Sequence, residues 1–477
     1  MHLRIAPLIG ASVLVAFQAS TPVLDPVPSA PIPSGLALKV ERFAVFPKSQ
    51  PIPEPTDPRL VRAARINYLG ELPDGSGRMY VPDINGALYF VTRGTPAVYL
   101  DIAKTFAPDF FSGRGLGQGF AFVAFHPEFA RNGKFYTVHT ETGGALTHKT
   151  PDLPAQANTL YHGIVTEWTA DDPKASTFHG TRRELLRLGF GGQIHGIQQV
   201  EFNPNARPGD ADYGLLFVAV GEGGLGQADG NTDPQNFSMP FGKILRIDPA
   251  GHNSRNGRYG IPAGNPFVSR PGALGEIYAV GMRDPHRISW DTGGSHRMFL
   301  GHIGEHQVES IYDVHAGDNF GWSEREGAWV FNKADRCHLY TLPANDRQLG
   351  YTYPVAAYAH HPPADWPCTK DSGHAVSGGF VYRGRLAPEL TGKYIFGDIV
   401  DGRLFYTEES EMKRGGPRAP LHLLLVADPS GKAMTMQALS GDPRVDLHLG
   451  RDRAGELYLL SKANGTIWKI TGVAKAR

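Results

Sequence analysis

The sequence predicts an all-β chain arranged as a six-bladed β-propeller, and three observations carry that expectation. First, residues 77–91 (GRMYVPDINGALYFV), 392–408 (GKYIFGDIVDGRLFYTE) and 455–470 (GELYLLSKANGTIWKI) share one template. In each, a glycine precedes a hydrophobic strand with an aromatic, a polar turn ends in a second glycine, and a second strand alternates into another aromatic. This is a β-hairpin read three times, because a period of two buries one strand face and glycine admits the positive φ of a tight turn. Second, single-strand versions recur at 133–140, 213–220 and 296–303, while sustained helical periodicity is hard to find. Third, 58 Gly and 38 Pro in 477 residues, without collagen periodicity, suit many tight turns. Roughly 70 residues per blade gives about six blades, each longer than the roughly 40–50 residues of compact repeats, which implies long loops.

Taken in order, the chain opens on a basic MHLR followed by the apolar IAPLIGASVLVAF and small residues around QAS at 18–20. This reads as a signal peptide over 1–20, shorter than the roughly 18–20 apolar residues a bilayer span requires; a retained anchor is the alternative. Export to the periplasm or secretion follows, with no membrane span after cleavage. Residues 21–58 read as a Pro-rich, flexible leader and 59–477 as one propeller domain. Cys337 and Cys368 stand alone, and an oxidising compartment would permit one disulfide, with two unpaired thiols as the alternative. Lys plus Arg total 47 and Asp plus Glu total 47, so net charge gives no reason to expect a nucleic-acid partner.

Polar chemistry gathers where strands end. IHGIQQVEF (194–202), LLFVAVGEGG (215–224), EIYAVGMRDPHR (276–287) and IGEHQVESIYDVHAGDNFGW (303–322) each join a short strand to a polar turn. Repetition of this kind points to one shared pocket. His195 is the candidate base, Glu222 could orient and charge-stabilise its imidazole, and Arg283 and Arg287 could hold negative charge at any working pH. GEGGLG (221–226) satisfies GxGxxG, but the breaker-rich QADGNTDPQNF follows where a dinucleotide site needs a helix N-terminus. No GxxxxGK[ST] loop occurs. His302 and His306 have HxxxH spacing, yet Gly301 and Gly304 argue against a helix there and no HExxH glutamate lies between them. His360 and His361, beside Cys368 in a Pro-rich loop, read as a turn rather than a metal site.

Together these segments resemble the glucose/sorbosone dehydrogenase family, six-bladed propellers that use pyrroloquinoline quinone (PQQ). The landmarks are GFAFVAFHPEFARNGKFYTVHT (119–140), the His195 strand, YGLLFVAVGEGG, FGKILRIDP (241–249), YGIPAGNPF (259–267), EIYAVGMRDPHR, NFGWSEREG (319–327), SGGFVYRG (377–384) and GELYLLSKANGTIWKI, in order over roughly residues 65–470. The resemblance implies that His195 is the general base that takes a sugar hydroxyl proton while hydride passes to the quinone. It further implies that Glu222 supports His195 where relatives often carry aspartate, and that Arg283 stabilises charge on the quinone oxygen. Asp284 would adjoin the cofactor in place of the usual asparagine, an acid set against a tricarboxylate. Backbone carbonyls of Gly304 and Glu305 would bind Ca2+, with Glu309 nearby. Arg383, and more loosely Arg444, would meet the cofactor's carboxylates, and Gln118 would approach the site. Ile194 replaces an acid often found before the histidine, and glycines common shortly after it are replaced in HGIQQ.

The function implied is an exported PQQ-dependent sugar dehydrogenase, an oxidoreductase acting on CH–OH donors. It would pass electrons to a separate acceptor, since no haem-attachment CxxCH occurs. The alternative is a cofactor-free propeller that binds a protein or glycan, as in the related hedgehog-interacting proteins. A metal-dependent propeller hydrolase is a third reading, requiring side-chain carboxylates around an axial calcium. The long loops 142–160 and 328–375 would set sugar specificity and carry no readable code.

Overall fold

Four antiparallel sheets follow one another along the chain, each with four strands in meander order. They comprise Gly70–Glu71, Met79–Pro82, Ala87–Thr92 and Thr95–Asp101; then Phe122–Phe125, Lys134–Glu141, Tyr161–Ala170 and Gly180–Phe190; then Ile197–Phe202, Leu216–Val220, Lys243–Ile247 and Ile277–Val280; then Asp284–Trp290, Met298–Ile303, Val308–Val314 and Ala356–Ala359. A nine-stranded sheet takes up the rest of the main body. It runs Val376–Val381, Lys393–Asp398, Leu404–Glu408, His422–Ala427, Ile32–Val45, Thr466–Lys475, Leu457–Ser461, Leu447–Arg451, with Ala433–Met434 paired at the side. The coordinates are a computed structural model and describe residues 22–23, 30–225, 231–305, 307–334, 338–360 and 374–476. The signal segment, His306, His361, Cys337 and Cys368, and with them the disulfide expectation, lie outside the described residues.

The first strands of these units pack against one another in sequence. Ile197–Phe202 lies against Phe122–Phe125 and Asp284–Trp290, the latter against Val376–Val381, that strand against Leu447–Arg451, and Leu447–Arg451 against Gly70–Glu71. Two bonds close the circuit between the first and second sheets: Phe120 N–H donates to the Ile84 carbonyl (2.8 Å) and the Asn67 amide to the Ala121 carbonyl (2.7 Å). The result is an all-β ring of sheets. A sheet flanked on both faces buries both sets of side chains, so Leu216–Val220 is buried at every position and reads as an apolar run rather than an alternation, and Lys243–Ile247 is buried throughout with its Lys243 and Arg246 included. Aromatic rings fill the gaps, as where Phe135 stacks on Phe125 (5.2 Å) and Trp168 (5.9 Å).

All three predicted hairpins are present, and the second glycine of each, Gly86, Gly402 and Gly465, has φ of 123°, 74° and 66°. The predicted leader stops short of its expected end. Ile32–Val45 is a fourteen-residue strand, antiparallel to Thr466–Lys475 and parallel to His422–Ala427, so the N-terminal part of the domain completes a sheet begun at the C-terminus. In an antiparallel meander the first strand starts where the second ends. His195, just before Ile197, and Glu222, just after Val220, therefore share one end of the ring with Arg283 and Asp284 at the start of the next sheet. No helix among the described residues is long and apolar enough to cross a membrane.

Candidate active site

A cavity of about 230 Å³ opens at that end, lined among others by Asn67, His195, Arg283, Asp284, Gly304, Glu305, Arg444 and Lys462. His195 holds a left-handed backbone with φ 57°, an uncommon state for a non-glycine residue and one that bears strain. Its carbonyl accepts the Gly223 N–H at 3.1 Å, and a Cβ on Gly221 would overlap that same carbonyl. The glycine run at 221–224 thus lets the Glu222 turn close upon His195, which is a packing role and not a phosphate cradle.

His195 Nδ1 lies 2.6 Å from Glu222 Oε1. Glu222 is fully buried and also accepts N–H bonds from Gly224 (3.0 Å) and Leu225 (2.9 Å) and one from the Asn231 amide (3.0 Å). Burial pushes its carboxyl up, but the bond and charge of His195, the charge of Arg283 and the Asn231 amide outweigh burial and hold it below the ordinary glutamate range. An anionic Glu222 assigns the Nδ1 proton to that bond and leaves the Nε2 lone pair on the cavity side. Asp284 Oδ2 lies 3.9 Å from Nε2. Burial raises the Asp284 carboxyl against the pull of His195 and Arg283, and its Oδ1 has no hydrogen-bond partner.

Arg283 spans from this turn to the next. Its backbone N–H donates to His302 Nε2 (2.8 Å) and its carbonyl accepts the Glu222 N–H (2.8 Å). Its guanidinium donates from Nε to Glu305 Oε2 (2.5 Å) and from Nη1 to the Gly304 carbonyl (2.5 Å). The Gly304 carbonyl expected to ligate calcium accepts from Arg283, because Arg283 and Gly304 face each other across adjacent strands. His302 sits on a strand, buried, with burial and the charge of Arg283 lowering its imidazole to about 3, so it is a neutral acceptor.

Arg444 does line the cavity and pairs with Asp446 (2.9 Å), which also binds Arg62 (2.8 Å). Arg383 does not: it is paired with Asp291 at 2.7 and 2.8 Å, beyond the far end of Asp284–Trp290. Asp291 lies four residues beyond Arg287, the last cavity-lining position of that strand, about 13 Å at the usual rise, so the structure does not bring Arg383 into the cavity. Gln118 is buried beside Gly115, while Leu116 and Gly117 supply the cavity wall. Glu309 is buried, accepting from His360 Nε2 (2.7 Å), Val376 N–H (2.8 Å) and Gly304 N–H (3.2 Å).

Sequence reasoning named Arg287 but missed the two cations that share its cavity, Arg65 and Lys462. Arg65, Arg287 and Lys462 line the cavity, all buried, and among the described residues none has a carboxylate within ion-pair distance. Arg65 donates to the Asn85 side chain (3.2 Å) and to the carbonyls of Ser112 (2.9 Å) and Leu116 (2.9 Å); Arg287 donates to the carbonyls of Gln198 (3.1 Å) and His286 (2.7 Å). Burial lowers Lys462 to about 7, with Asp446 opposing and Arg65 and Arg287 adding to the shift. Asn67 Oδ1, His286 Nε2 and both ring nitrogens of His448, facing the same space, are buried without protein partners. The one available signal was a cation at the end of an apolar strand, as at LYLLSK (457–462).

This arrangement can accommodate an anion beside a base. Among solved structures, the chain matches the apo soluble aldose sugar dehydrogenase of Escherichia coli with TM-score 0.59 and 19% identity, covering 92% of this chain and 100% of that one. The PQQ-bound aldose sugar dehydrogenase of Streptomyces coelicolor gives TM-score 0.57 and 18% identity over 93% and 100%. At these identities the likeness is one of fold. By sequence, HIPL1 protein of Arabidopsis thaliana is 26% identical over 72% of this chain and 52% of its own length. Human Hedgehog-interacting protein is 25% identical over 83% and 49%, and E. coli aldose sugar dehydrogenase YliI 24% over 68% and 74%. The chain thus spans about half the length of HIPL1 and of the Hedgehog-interacting protein. The family described as Glucose / Sorbosone dehydrogenase matches residues 68–419, a stretch that contains every sheet described above in whole or in part and all of the His195, Glu222 and Arg283 machinery. By that match the chain belongs to the glucose/sorbosone dehydrogenase family.

Proposed function

We propose that this chain is an exported, six-bladed propeller enzyme that oxidises a sugar hydroxyl with PQQ as cofactor and hands the electrons to a separate acceptor. The nine-stranded sheet supports the blade number, because it divides into Val376–Val381 through His422–Ala427 and a second unit of Leu447–Arg451, Leu457–Ser461, Thr466–Lys475 and Ile32–Val45. The observation that carries the enzyme reading is a carboxylate-oriented histidine in the same cavity as three buried, unneutralised cations. Such cations are costly to bury unless an anion meets them. A tricarboxylate fits, with Arg65, Arg287 and Lys462 as its holders and the unpartnered atoms of Asn67, His286 and His448 as further contacts.

PQQ supplies, when bound, a two-electron acceptor. The protein supplies the base: His195 Nε2 takes the hydroxyl proton, and the Glu222 carboxylate, held through Nδ1, stabilises the imidazolium formed. Asp284, 3.9 Å away, adds attraction for that cation when ionised. Its raised carboxyl also lets it face an anion as a neutral donor, which answers the repulsion expected where relatives carry asparagine. Arg283 is the fixed positive charge beside the reacting centre. These roles are assigned to protein groups alone, with the Gly304 carbonyl accepting from Arg283.

The deciding experiment titrates the purified chain with PQQ, follows quinone absorbance, then adds a panel of aldoses. Saturable binding with sugar-dependent bleaching is expected, and His195→Ala is expected to abolish bleaching while retaining binding. A second reading, a cofactor-free module for a protein or glycan, is favoured by the HIPL1 and Hedgehog-interacting relatives. Failure to bind PQQ at micromolar concentration, with and without calcium, would favour that second reading.

A further inference from the structure

We infer that Arg283 itself supplies the cation at the Gly304–Glu305 end of the cavity, in place of a divalent metal, and that anion binding in this cavity is independent of calcium. Calcium needs several oxygen ligands converging at roughly 2.3–2.6 Å. Two oxygens offered here, the Gly304 carbonyl and Glu305 Oε2, accept from Nη1 and Nε of one guanidinium, each at 2.5 Å. A planar fork of donors meets two acceptors at once, which a lysine could not reproduce.

The loop is held in that presentation. Glu326 Oε1 accepts the N–H groups of Glu305 (3.0 Å), Gln307 (2.9 Å) and Val308 (3.1 Å), and Glu309 Oε1 accepts that of Gly304 (3.2 Å). Arg283 is held from its own side through His302 and Glu222. These bonds fix the two backbones from which the guanidinium and its acceptors are presented. The negative charges of Glu305, Glu222, Asp284 and Glu326 surround the guanidinium and keep it protonated at every working pH. A divalent ion at the same oxygens would displace that cation or sit against it.

This inference concerns the site of the proposed dehydrogenase but is tested without the quinone. The whole chain, freed of metal with EDTA, is titrated with calcium alone by calorimetry, beside Arg283→Gln and Arg283→Lys. The wild type is expected to take up no calcium at this site up to about 1 mM, the weak end of extracellular calcium modules. Arg283→Gln, which leaves the Gly304 carbonyl and Glu305 carboxylate without a cation, is expected to gain at least about tenfold in calcium affinity, and Glu305→Gln added to it should cancel the gain. Arg283→Lys is expected to remain closer to the wild type. One equivalent of calcium bound by the wild type below about 100 µM, and lost in Glu305→Gln, would overturn the inference, as would no gain in a folded Arg283→Gln. If Arg283→Gln does not fold, the wild-type titration still decides. Absence of PQQ binding with and without calcium would instead count against the dehydrogenase reading and leave the calcium result standing.

Discussion

Glu222 sets the tautomer on which His195 depends, and its effect is separable from the presence of the base. Replacing Glu222 with Gln keeps the shape but offers Nδ1 either an amide donor or a neutral acceptor. Turnover is expected to fall about 100-fold or more with KM little changed, in line with the usual worth of positioned acid–base catalysis. Steady-state kinetics checks this; loss confined to KM would contradict it. Glu222 also bears on stability. Its folded-state carboxyl lies below the ordinary value of 4.5, so its stabilising contribution is full above that value and is lost as pH falls through the folded value. Asp284 has the opposite sign. Its carboxyl is raised above 3.8, so an unfolded chain ionises it where the folded chain resists, and folding loses stability as pH climbs above 3.8. Asp284→Asn is expected to raise the melting temperature at pH 7, with the gain shrinking towards pH 4 in parallel melts. Both residues were legible in the sequence because they adjoin glycine-rich turns at strand ends. Arg383 was misplaced because VYRG fixes a strand but not which end of it faces the cavity.

At the level of elements, hairpins were legible and ring closure was not. GRMYVPDINGALYFV carries its own turn, its own alternation and its own glycine, so local chemistry determines the pairing. Ile32–Val45 has no such local partner. Its mates on either side are Thr466–Lys475 and His422–Ala427, both far along the chain, and it follows a Pro-rich stretch with exposed Glu41 and Arg42, so it reads as a continuation of the Pro-rich leader. Deleting residues through 46 would strip the ladder from both neighbours and take Ala37, Leu38 and Val40, each at most 4% exposed, out of the core. The truncated chain is expected to aggregate and to lose its cooperative thermal transition, as size-exclusion chromatography and circular dichroism would register. The 304–308 loop depends in the same way on a residue from a distant strand. Glu326→Ala would leave three backbone N–H groups without their acceptor. A cost of about 1–3 kcal/mol for each group that water cannot reach makes a large drop in denaturation midpoint the expected outcome.

Across the whole molecule, the cavity's charge is a product of ring closure. Arg65 precedes the first sheet, Arg287 lies in the fourth and Lys462 follows Leu457–Ser461 near the C-terminus, so no window of sequence contains two of them. A net charge of zero hides them, because 47 acids balance 47 bases over the whole chain whatever their placement. That is why composition could reject a polyanion partner yet give no hint of a small anion site. Lys462 makes the consequence measurable. Burial, reinforced by Arg65 and Arg287, brings its ammonium down to about 7 from 10.5, so the folded state favours the neutral amine and stability is lower below pH 7 than between 7 and 10.5. An anion entering the cavity restores the proton. Binding of a tricarboxylate, PQQ or citrate, is therefore expected to strengthen as pH falls towards 7 and to level off below it. Above 7 the affinity should fall by up to about tenfold per unit, since one pKa unit corresponds to one decade in affinity. Lys462→Met should bind more weakly at pH 6 and lose this dependence, while melting at a higher temperature than the wild type at that pH because a buried cation has gone. A wild-type affinity that is flat from pH 6 to 9 would remove Lys462 from the anion's contacts and leave Arg65 and Arg287, whose charge does not vary over that range, to hold it alone.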